Sequence, residues 1–303
     1  MKGEDLYKQW HNMGLMCNVY CIAVTKKNIF AGTLDNGMYM ATKNGTRWTK
    51  VNIDINPDVI TTSGSNIFAG SAMCPDNGPG FYVSIDDGKN WKEIKNGPAN
   101  GVRTLTLSSN NIFAGSVLSD DNDGGGVFLS TDNGSSWFST KLTTEDVCCL
   151  CMNGSLLFAA IDTSIYLPNG KTGIYLSTDN GNCWTAVNTG LPVDKETIIN
   201  NLVTKGNSIF ASIFGFGVYV SLDYGQSWSP ANTGLPLNVN ALAVNGDNLY
   251  AGIMSNLYIS VDNGQSWSPV YPKLPNYAGI TSIAFDSNYV YLATDSGVFR
   301  HSF

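Results

Sequence analysis

The chain has 303 residues, of which 11% are aromatic and 14% are charged, and its formal net charge is −7. An acidic chain repels phosphate backbones, so the composition argues against nucleic-acid binding. No apolar run approaches the ~18 residues that a membrane-spanning helix needs, and the opening MKGEDLYKQW lacks the apolar centre of a signal peptide. We therefore expect no nucleic acid and no membrane insertion among the interactions of this chain.

Tryptophans divide the chain into repeats of 38 to 47 residues. They stand at Trp10, Trp48, Trp91, Trp137, Trp184, Trp228 and Trp267. The gap from Trp267 across the two termini to Trp10 is one further period. Repeats of about forty residues are typical of propeller blades and solenoids, and a period that closes on itself predicts a ring. We expect residues 1–303 to form one closed domain and a monomer.

The repeats read as short strands joined by tight turns, starting with a Trp-bearing strand in the N-terminal segment LYKQWHNMG. The clearest repeat predicts four strands, labelled A to D, at Val239–Val244, Leu249–Ile253, Leu257–Val261 and Ser266–Val270. The C-terminal segment supplies strands A, B and C of a further blade and then stops. We therefore predict an all-β, seven-bladed β-propeller with four antiparallel strands per blade. Blade 7 combines about residues 280–303 with 1–14, so the N-terminal strand closes it.

The turn between strands C and D repeats the pattern S-x-D-x-G-x-x-W, beginning at Ser84, Ser130, Ser177, Ser221 and Ser260. Its carboxylates are Asp86, Asp132, Asp179, Asp223 and Asp262. Serine and aspartate side chains can bond the amides of such a turn, and glycine permits a positive φ. The blade 1 copy has Ala41 and Lys43 instead, and we expect its turn to survive on Gly45 without the carboxylate bonds.

This pattern is the Asp-box, and the whole chain resembles the Asp-box propeller superfamily, which includes sialidases, xyloglucan hydrolases, sortilin-type receptors and photosystem II assembly factors. The resemblance implies the propeller fold but selects no activity, because the box is a structural turn. Sialidases bind their substrate through three converging arginines. This chain has three arginines, Arg47, Arg103 and Arg300, which we expect in separate places, so sialidase activity is disfavoured. The assembly factors imply a docking role, although their basic patch is missing here.

The face that carries the D–A and B–C connections is the expected functional face, because variable loops on a rigid scaffold commonly carry function. B–C connections are long in blades 2, 3 and 4 and should form one rim. Its candidate residues are Asp76, Asp120, Asp121, Asp123, Asp162 and Tyr166.

A second candidate comes from aligning the repeats at one position early in strand A. The blades carry Tyr20, Asp58, Arg103, Cys148, Asn200, Asn240 and Thr281 there. We expect these side chains to ring the channel mouth and to bind a partner. The alternative is that they satisfy one another, for example Arg103 with Asp58.

Metal, cofactor and thiol chemistry have little support in the sequence. The chain has seven cysteines and two histidines but no CxxC, so we expect no cofactor and no zinc site. Asp121 and Asp123 are weak calcium candidates, with a plain acidic loop as the alternative. Some cysteines occupy strand A positions that hold small residues in other blades, and we expect them to be free thiols. Free thiols favour a reducing compartment such as the cytoplasm, while a secreted or cell-surface protein without its signal peptide is the alternative.

The sequence predicts a non-catalytic propeller that docks a protein or glycan partner on the face with the D–A and B–C loops. No set of residues has the arrangement of a catalytic site. The alternative is a glycan-active protein, either a lectin or a glycosidase that needs two carboxyls about 5–10 Å apart, acting on the same face.

Overall fold

The structure, a computed structural model, describes residues 9–72, 80–98, 100–108, 111–118, 124–143, 145–162, 172–194, 197–275 and 278–303. Over these ranges the strands form seven antiparallel four-stranded sheets, each in the order A-B-C-D. This confirms the predicted seven-bladed propeller. No helix in the described ranges has the length and apolarity needed to cross a membrane.

Each blade is one sheet, with strand A nearest the axis. Blade 1 consists of β2 (Val19–Val24), β3 (Asn28–Thr33), β4 (Met38–Thr42) and β5 (Thr49–Lys50). Blade 2 consists of β6 (Val59–Ser63), β7 (Asn66–Ser71), β8 (Gly80–Ser84) and β9 (Lys92–Glu93). Blade 3 consists of β10 (Thr104–Ser108), β11 (Asn111–Ser116), β12 (Gly126–Ser130) and β13 (Phe138–Thr143). Blade 4 consists of β14 (Asp146–Asn153), β15 (Leu156–Asp162), β16 (Gly173–Ser177) and β17 (Thr185–Ala186).

The remaining three blades complete the ring. Blade 5 consists of β18 (Ile199–Lys205), β19 (Ser208–Ile213), β20 (Gly217–Ser221) and β21 (Ser229–Pro230). Blade 6 consists of β22 (Ala241–Asn245), β23 (Asn248–Ile253), β24 (Asn256–Ser260) and β25 (Ser268–Pro269). Blade 7 consists of β26 (Ile280–Phe285), β27 (Tyr289–Thr294), β28 (Gly297–Ser302) and β1 (His11–Asn12).

The N-terminal strand closes blade 7, as predicted. β1 pairs antiparallel with β28, and His11 lies opposite Arg300. Two further contacts hold the strand: the Met13 amide donates to Val298 O at 2.9 Å, and Trp10 Nε1 donates to Pro272 O at 2.7 Å. Trp10 and Met13 are both buried. The ring is therefore closed by main-chain pairing and by two large apolar side chains.

The core lies between the blades, and strand B is its centre. The strand reads NIFAGS in both β7 and β11, and its last five residues are buried in each. Both faces of this strand meet neighbouring strands, so the usual alternation of apolar and polar residues is absent. A Cβ at Gly115 would come within 2.6 Å of Val147 Cγ1 in blade 4. Glycine at this position therefore lets the next blade approach.

The five intact Asp-boxes have one geometry. The serine hydroxyl donates to the aspartate at 2.8–2.9 Å and accepts the glycine amide at 2.7–2.9 Å. The aspartate also accepts the amide just before the tryptophan at 2.7–2.9 Å. Together with hydrogen bonds from the side chains of Asn90, Ser136 and Ser266, these bonds lower the pKa of Asp86, Asp132 and Asp262 to about 2. The residue before the glycine also has a positive φ, for example 59° at Asn263.

The turn in blade 1 is built differently from the expectation. Gly45 does not take the positive φ of the box glycines; its amide donates to Thr42 O at 2.9 Å instead. Lys43, at the position of the missing carboxylate, lies 3.2 Å from Asp286 in the A–B turn of blade 7. Arg300 of blade 7 donates to Lys43 O at 2.6 Å. The altered turn therefore joins blade 1 to the blade that closes the ring.

Asp286 is held from several sides. Burial would raise its pKa, but hydrogen bonds from the Asn288 amide, the Tyr291 hydroxyl and Lys43 lower it below the ordinary value. The Tyr291 hydroxyl donates to Asp286 at 2.9 Å, and Tyr291 is fully buried. The carboxylate thus connects the core of blade 7 with the turn of blade 1.

The tryptophans use their indole N–H in two ways. In blades 2, 3 and 4 the indole donates to the glycine carbonyl of its own box at 3.1 Å. In the other blades the indole donates across the blade boundary. The acceptor is a main-chain carbonyl of the preceding blade or of the segment that follows that blade. The crossing bonds run from Trp10 to Pro272, Trp48 to Met13, Trp228 to Val187 and Trp267 to Ala231.

Deleting residues 1–13 removes Trp10, β1 and Met13 and should lower the free energy of unfolding by at least about 3 kcal/mol, because buried large side chains are lost and β28 becomes an exposed edge. Urea unfolding followed by tryptophan fluorescence measures this. A deletion of residues 1–8 is the control, since it leaves the strand in place. Equal stability of the 1–13 deletion and the control would contradict the closure.

Replacing Asp262 by Ala should lower the melting temperature near pH 7, because three hydrogen bonds to the carboxylate are lost. The pKa is lower in the folded state, so this stabilisation is present above the unfolded pKa of ~3.9 and is lost as the pH falls towards 2. The difference from the unmodified chain should therefore shrink near pH 2. Val261→Ala, at an exposed neighbour in the same box, is the control and should show neither effect.

A double-mutant cycle tests the junction between blades 1 and 7. Lys43→Met and Asp286→Asn should show a coupling energy of about 1–2 kcal/mol, because the two side chains are only 21% and 9% exposed. Asp286→Asn alone should be the more damaging change, since Tyr291 also loses a carboxylate acceptor. Additive effects in thermal or urea unfolding would show that the ion pair contributes nothing.

Candidate functional site

The inner ring is the set of strand A residues that meet at the channel mouth, one from each blade. Its members are Tyr20, Asp58, Arg103, Cys148, Asn200, Asn240 and Thr281. All seven line one cavity of about 450 Å³. Tyr20, Arg103 and Asn240 are exposed, whereas Cys148 is buried. The structure therefore brings together the residues that the repeat alignment selected from seven separate blades.

The inner-ring residue occupies a β-bulge, which is why it points into the mouth. In blades 1, 4, 5 and 7 the strand A–B register skips this residue. In blades 2, 3 and 6 two successive strand A residues meet one strand B glycine. In blade 3, for example, the Arg103 amide donates to Gly115 O at 2.9 Å, and Thr104 is the residue paired with Gly115. An extra residue in one strand turns its side chain out of the regular alternation. The bulge is thus the local device that builds the ring.

Much of the ring's polarity connects neighbouring blades. Donors from strand A reach the main chain of the next blade in several pairs, including Cys21 to Pro57 O (3.2 Å), Cys148 to Ile199 O (3.3 Å), Asn200 to Val239 O (2.9 Å), Asn201 to Asn240 O (3.0 Å) and Thr281 to Val19 O (2.6 Å). These bonds join the blades close to the axis. The polar groups of the mouth therefore have a structural role in addition to any role in binding.

Arg103 forms its ion pair with a residue other than the one expected. Its guanidinium lies 3.6 Å from Asp162 at the end of β15 in blade 4, where the sequence had suggested Asp58. Asp58 instead accepts the Ala72 amide at 2.6 Å within its own blade. Asp162, assigned to the loop rim, thus belongs to the edge of the channel mouth, and it also accepts the Ile199 amide at 3.2 Å.

Burial is the largest influence on the pKa values of Asp162 and Cys148. It raises the pKa of Asp162 above that of a free aspartate, although Arg103 and the Ile199 amide oppose the shift. Burial and the neighbouring Cys149 thiol raise the pKa of Cys148 well above that of a free thiol. A thiol of this kind is a poor nucleophile at neutral pH. Cys148 therefore does not suit thiolate catalysis.

A second ring, here the turn ring, follows the buried end of strand B in each blade. Its members are Leu34, Ala72, Val117, Asp162, Phe214, Met254 and Asp295. Leu34, Phe214 and Met254 are 44%, 52% and 70% exposed. The Phe214 amide donates to Ile198 O at 2.9 Å, and the Ile280 amide to Met254 O at 2.8 Å. This ring therefore surrounds the mouth with mainly apolar side chains.

The turn ring was not among the sequence predictions. Its signal is visible in the blade 5 turn, where Phe214 and Phe216 flank a glycine between Ile213 and Gly217. Apolar residues at turn positions have no core to enter, so they remain exposed. Phe216 is 44% exposed. Large apolar side chains clustered on one face often mark a contact surface.

The proposed loop rim lies mostly outside the described residues. Asp76, Asp120, Asp121, Asp123 and Tyr166 all fall there, including both calcium candidates. Within the described ranges no three His, Cys, Asp or Glu side chains converge to hold a metal. The cysteines in those ranges are all free thiols.

The three arginines occupy separate parts of the propeller. Arg103 lines the channel mouth. Arg47 follows the altered C–D turn of blade 1, and Arg300 lies in β28 over the ring of Tyr289. They do not form the convergent set that a sialidase uses.

Comparison with known families identifies the chain. The DUF6242 beta propeller domain matches residues 11–210, about two thirds of the sequence. The chain belongs to this family. A BNR/Asp-box repeat also matches residues 258–269, which contain the blade 6 box. No curated protein matches the sequence.

Solved propellers resemble this DUF6242 domain in fold. The extracellular domain of the putative one component system BT4673 from B. thetaiotaomicron has a TM-score of 0.75 at 14% identity, covering 98% of this chain but only 40% of that one. YCF48 bound to D1 peptide has a TM-score of 0.72 at 12% identity, covering 100% and 99%. The GH74 xyloglucanase from Xanthomonas campestris has a TM-score of 0.70 at 14% identity, covering 96% and 53%. At these identities the likeness concerns the fold alone.

Replacing Arg103 by Met should cost roughly 1–3 kcal/mol near pH 7, because Asp162 would remain buried without its cation. Its pKa, already raised, should rise further; a raised folded pKa costs stability as the pH climbs above the unfolded value. The loss should therefore be much smaller near pH 3. Adding Asp162→Asn should recover part of the stability. An equal loss at both pH values in urea unfolding would contradict this account.

Proposed function

We propose that this DUF6242 propeller is a non-catalytic docking module that binds a protein segment across the channel mouth. The observation that carries the proposal is the arrangement of two rings on one face, a polar inner ring inside a mainly apolar turn ring. Protein interfaces combine a central desolvated region with aromatic, Met and Arg contacts. Phe214, Met254 and Arg103 supply such contacts here.

Protein is favoured over glycan by the use of the tryptophans. Each of the seven donates its indole N–H to a main-chain carbonyl in the scaffold. None is therefore left to stack on a sugar at the mouth. Most of the exposed large apolar residues described there are Leu, Ile, Met and Phe, which suit peptide side chains better than sugar hydroxyls; Tyr20, 48% exposed, is the aromatic ring that could serve either partner.

The architecture of YCF48, whose structure holds a D1 peptide, supports the same use of a whole propeller as a peptide-binding body. That likeness spans the full length of both chains at 12% identity. It supports the class of partner and leaves the residues of contact to be argued from this chain.

Glycan binding or hydrolysis is the second candidate function. It is favoured by Asp162, a buried carboxyl at the mouth with a raised pKa, which is the property of a general acid. Asp58 is a second carboxyl at the mouth. Both accept main-chain amides, at 2.6 Å for Asp58 and 3.2 Å for Asp162, so each also has a structural task.

A peptide display library of random sequence tests the docking proposal. Peptides selected on the unmodified chain should bind a Phe214→Ser/Met254→Ser variant at least about tenfold more weakly, because exposed apolar anchors are removed. Ile85→Ser/Val261→Ser is the matched control, since both side chains are equally exposed on the opposite face. Equal weakening in the two variants, or selection of no peptide, would reject the proposal.

A glycan array and a panel of chromogenic glycosides separate the second candidate. Docking of protein predicts no turnover and no array signal that depends on the mouth. Turnover that Asp58→Asn or Asp162→Asn abolishes would overturn the non-catalytic conclusion. Array binding lost in Asn240→Ala, without turnover, would instead identify a lectin.

A further inference from the structure

Two adjacent thiols meet at the channel mouth of blade 4. Regular strand geometry would place Cys148 and Cys149 on opposite faces. The bulge prevents this, because Val147 pairs with Ile161 and Cys149 with Ala160, leaving Cys148 as the extra residue. Both Sγ atoms consequently lie near the same carbonyl oxygen, Ile199 O, at 3.3 Å from Cys148 and 3.7 Å from Cys149. The bulge thus brings both sulfur atoms to one carbonyl oxygen of blade 5.

The pair is open to a small ligand. Both cysteines line the 450 Å³ cavity, and Cys149 is partly exposed. Cys151, two residues further along the strand, belongs to the same core cluster as Cys148 but does not line the cavity. The cavity therefore offers two neighbouring sulfur atoms from one strand.

The surroundings select the class of ligand. No third His, Cys, Asp or Glu within the described residues joins the pair closely enough to complete a metal site, so ions that require four or more ligands do not fit. Soft thiolate sulfur prefers soft metal ions such as Cu(I). Two sulfur ligands can satisfy Cu(I) or Ag(I) in linear coordination. The Arg103 side chain lines the same cavity and supplies a cation near the pair.

We propose that Cys148 and Cys149 bind one soft monovalent metal ion, Cu(I), at the channel mouth. Binding replaces two S–H bonds with two S–Cu bonds and releases two protons to solvent. The copper enters and remains as Cu(I), so no oxidant or reductant takes part. The site depends on the bulge of β14 and is independent of whether the mouth docks a protein.

Anaerobic titration of the reduced chain with Cu(I) bicinchoninate tests the site. The unmodified chain should remove one equivalent of Cu(I) from the chromophore, and X-ray absorption should show two sulfur neighbours. Cys149→Ser and Cys148→Ser should each lose that equivalent. Because Cys148 is buried and its replacement can disturb folding, Cys149→Ser is the decisive variant, with circular dichroism to verify its fold.

Cys183→Ser is the matched control, since Cys183 is an exposed thiol on the opposite face. It should retain the full equivalent. Retention by Cys149→Ser, or loss in Cys183→Ser, would overturn the site.

A trivalent arsenical gives an independent readout. Phenylarsine oxide bridges two neighbouring thiols, so its adduct should resist excess glutathione in the unmodified chain and disappear in Cys149→Ser, as seen by mass spectrometry. An adduct that glutathione removes from the unmodified chain would show that the thiols cannot bridge, and would also overturn the proposal.

Discussion

Each blade of this propeller has two apolar faces, and only a closed ring covers both. The constraint is most severe at strand B, whose last five residues are buried in blade after blade. Glycine near the end of this strand, as at Gly115, leaves room for the first residues of the next blade. Every other feature depends on this contact, because the loops, the boxes and the channel mouth are all carried by strands that it positions. The strand β1 that closes the ring therefore contributes to the core, and the N-terminal segment that carries it is needed for the fold in the same way as the strands of the other blades.

The seven-bladed fold was predictable because its signals are local and repeated. The box turn needs only a serine, an aspartate and a glycine within eight residues, and the tryptophan that follows marks the same place in every blade. The split of blade 7 between the termini followed from counting strands. The predicted strands of blade 6 differ from those observed by no more than a few residues, mostly where the outer strand is short.

The site was predictable in position but not in its contacts. Alignment at one strand A position found all seven residues of the inner ring, because repeats conserve geometry even where they differ in chemistry. It could not show that this position is a bulge, which depends on register with strand B. For the same reason it missed the meeting of Cys148 and Cys149, and it gave Arg103 the wrong partner. From the sequence, Lys43 indicated only that a box carboxylate is missing. Its ion pair with Asp286 was not predicted, because Asp286 lies more than two hundred residues away along the chain.

The two uses of the indole N–H divide the ring mechanically. The bonds of Trp10, Trp48, Trp228 and Trp267 cross a blade boundary, whereas those of Trp91, Trp137 and Trp184 stay within one turn. The second group occupies consecutive blades, which are also the blades with the longest B–C connections. Indole hydrogen bonds thus cross the blade boundaries in one arc of the ring, whereas in the other arc Trp91 and Trp137 contact the preceding blade through ring packing on Phe30 and Phe81. Replacing a tryptophan of the first group by phenylalanine would therefore remove a hydrogen bond between blades, whereas the same replacement in the second group would remove a bond within a single turn.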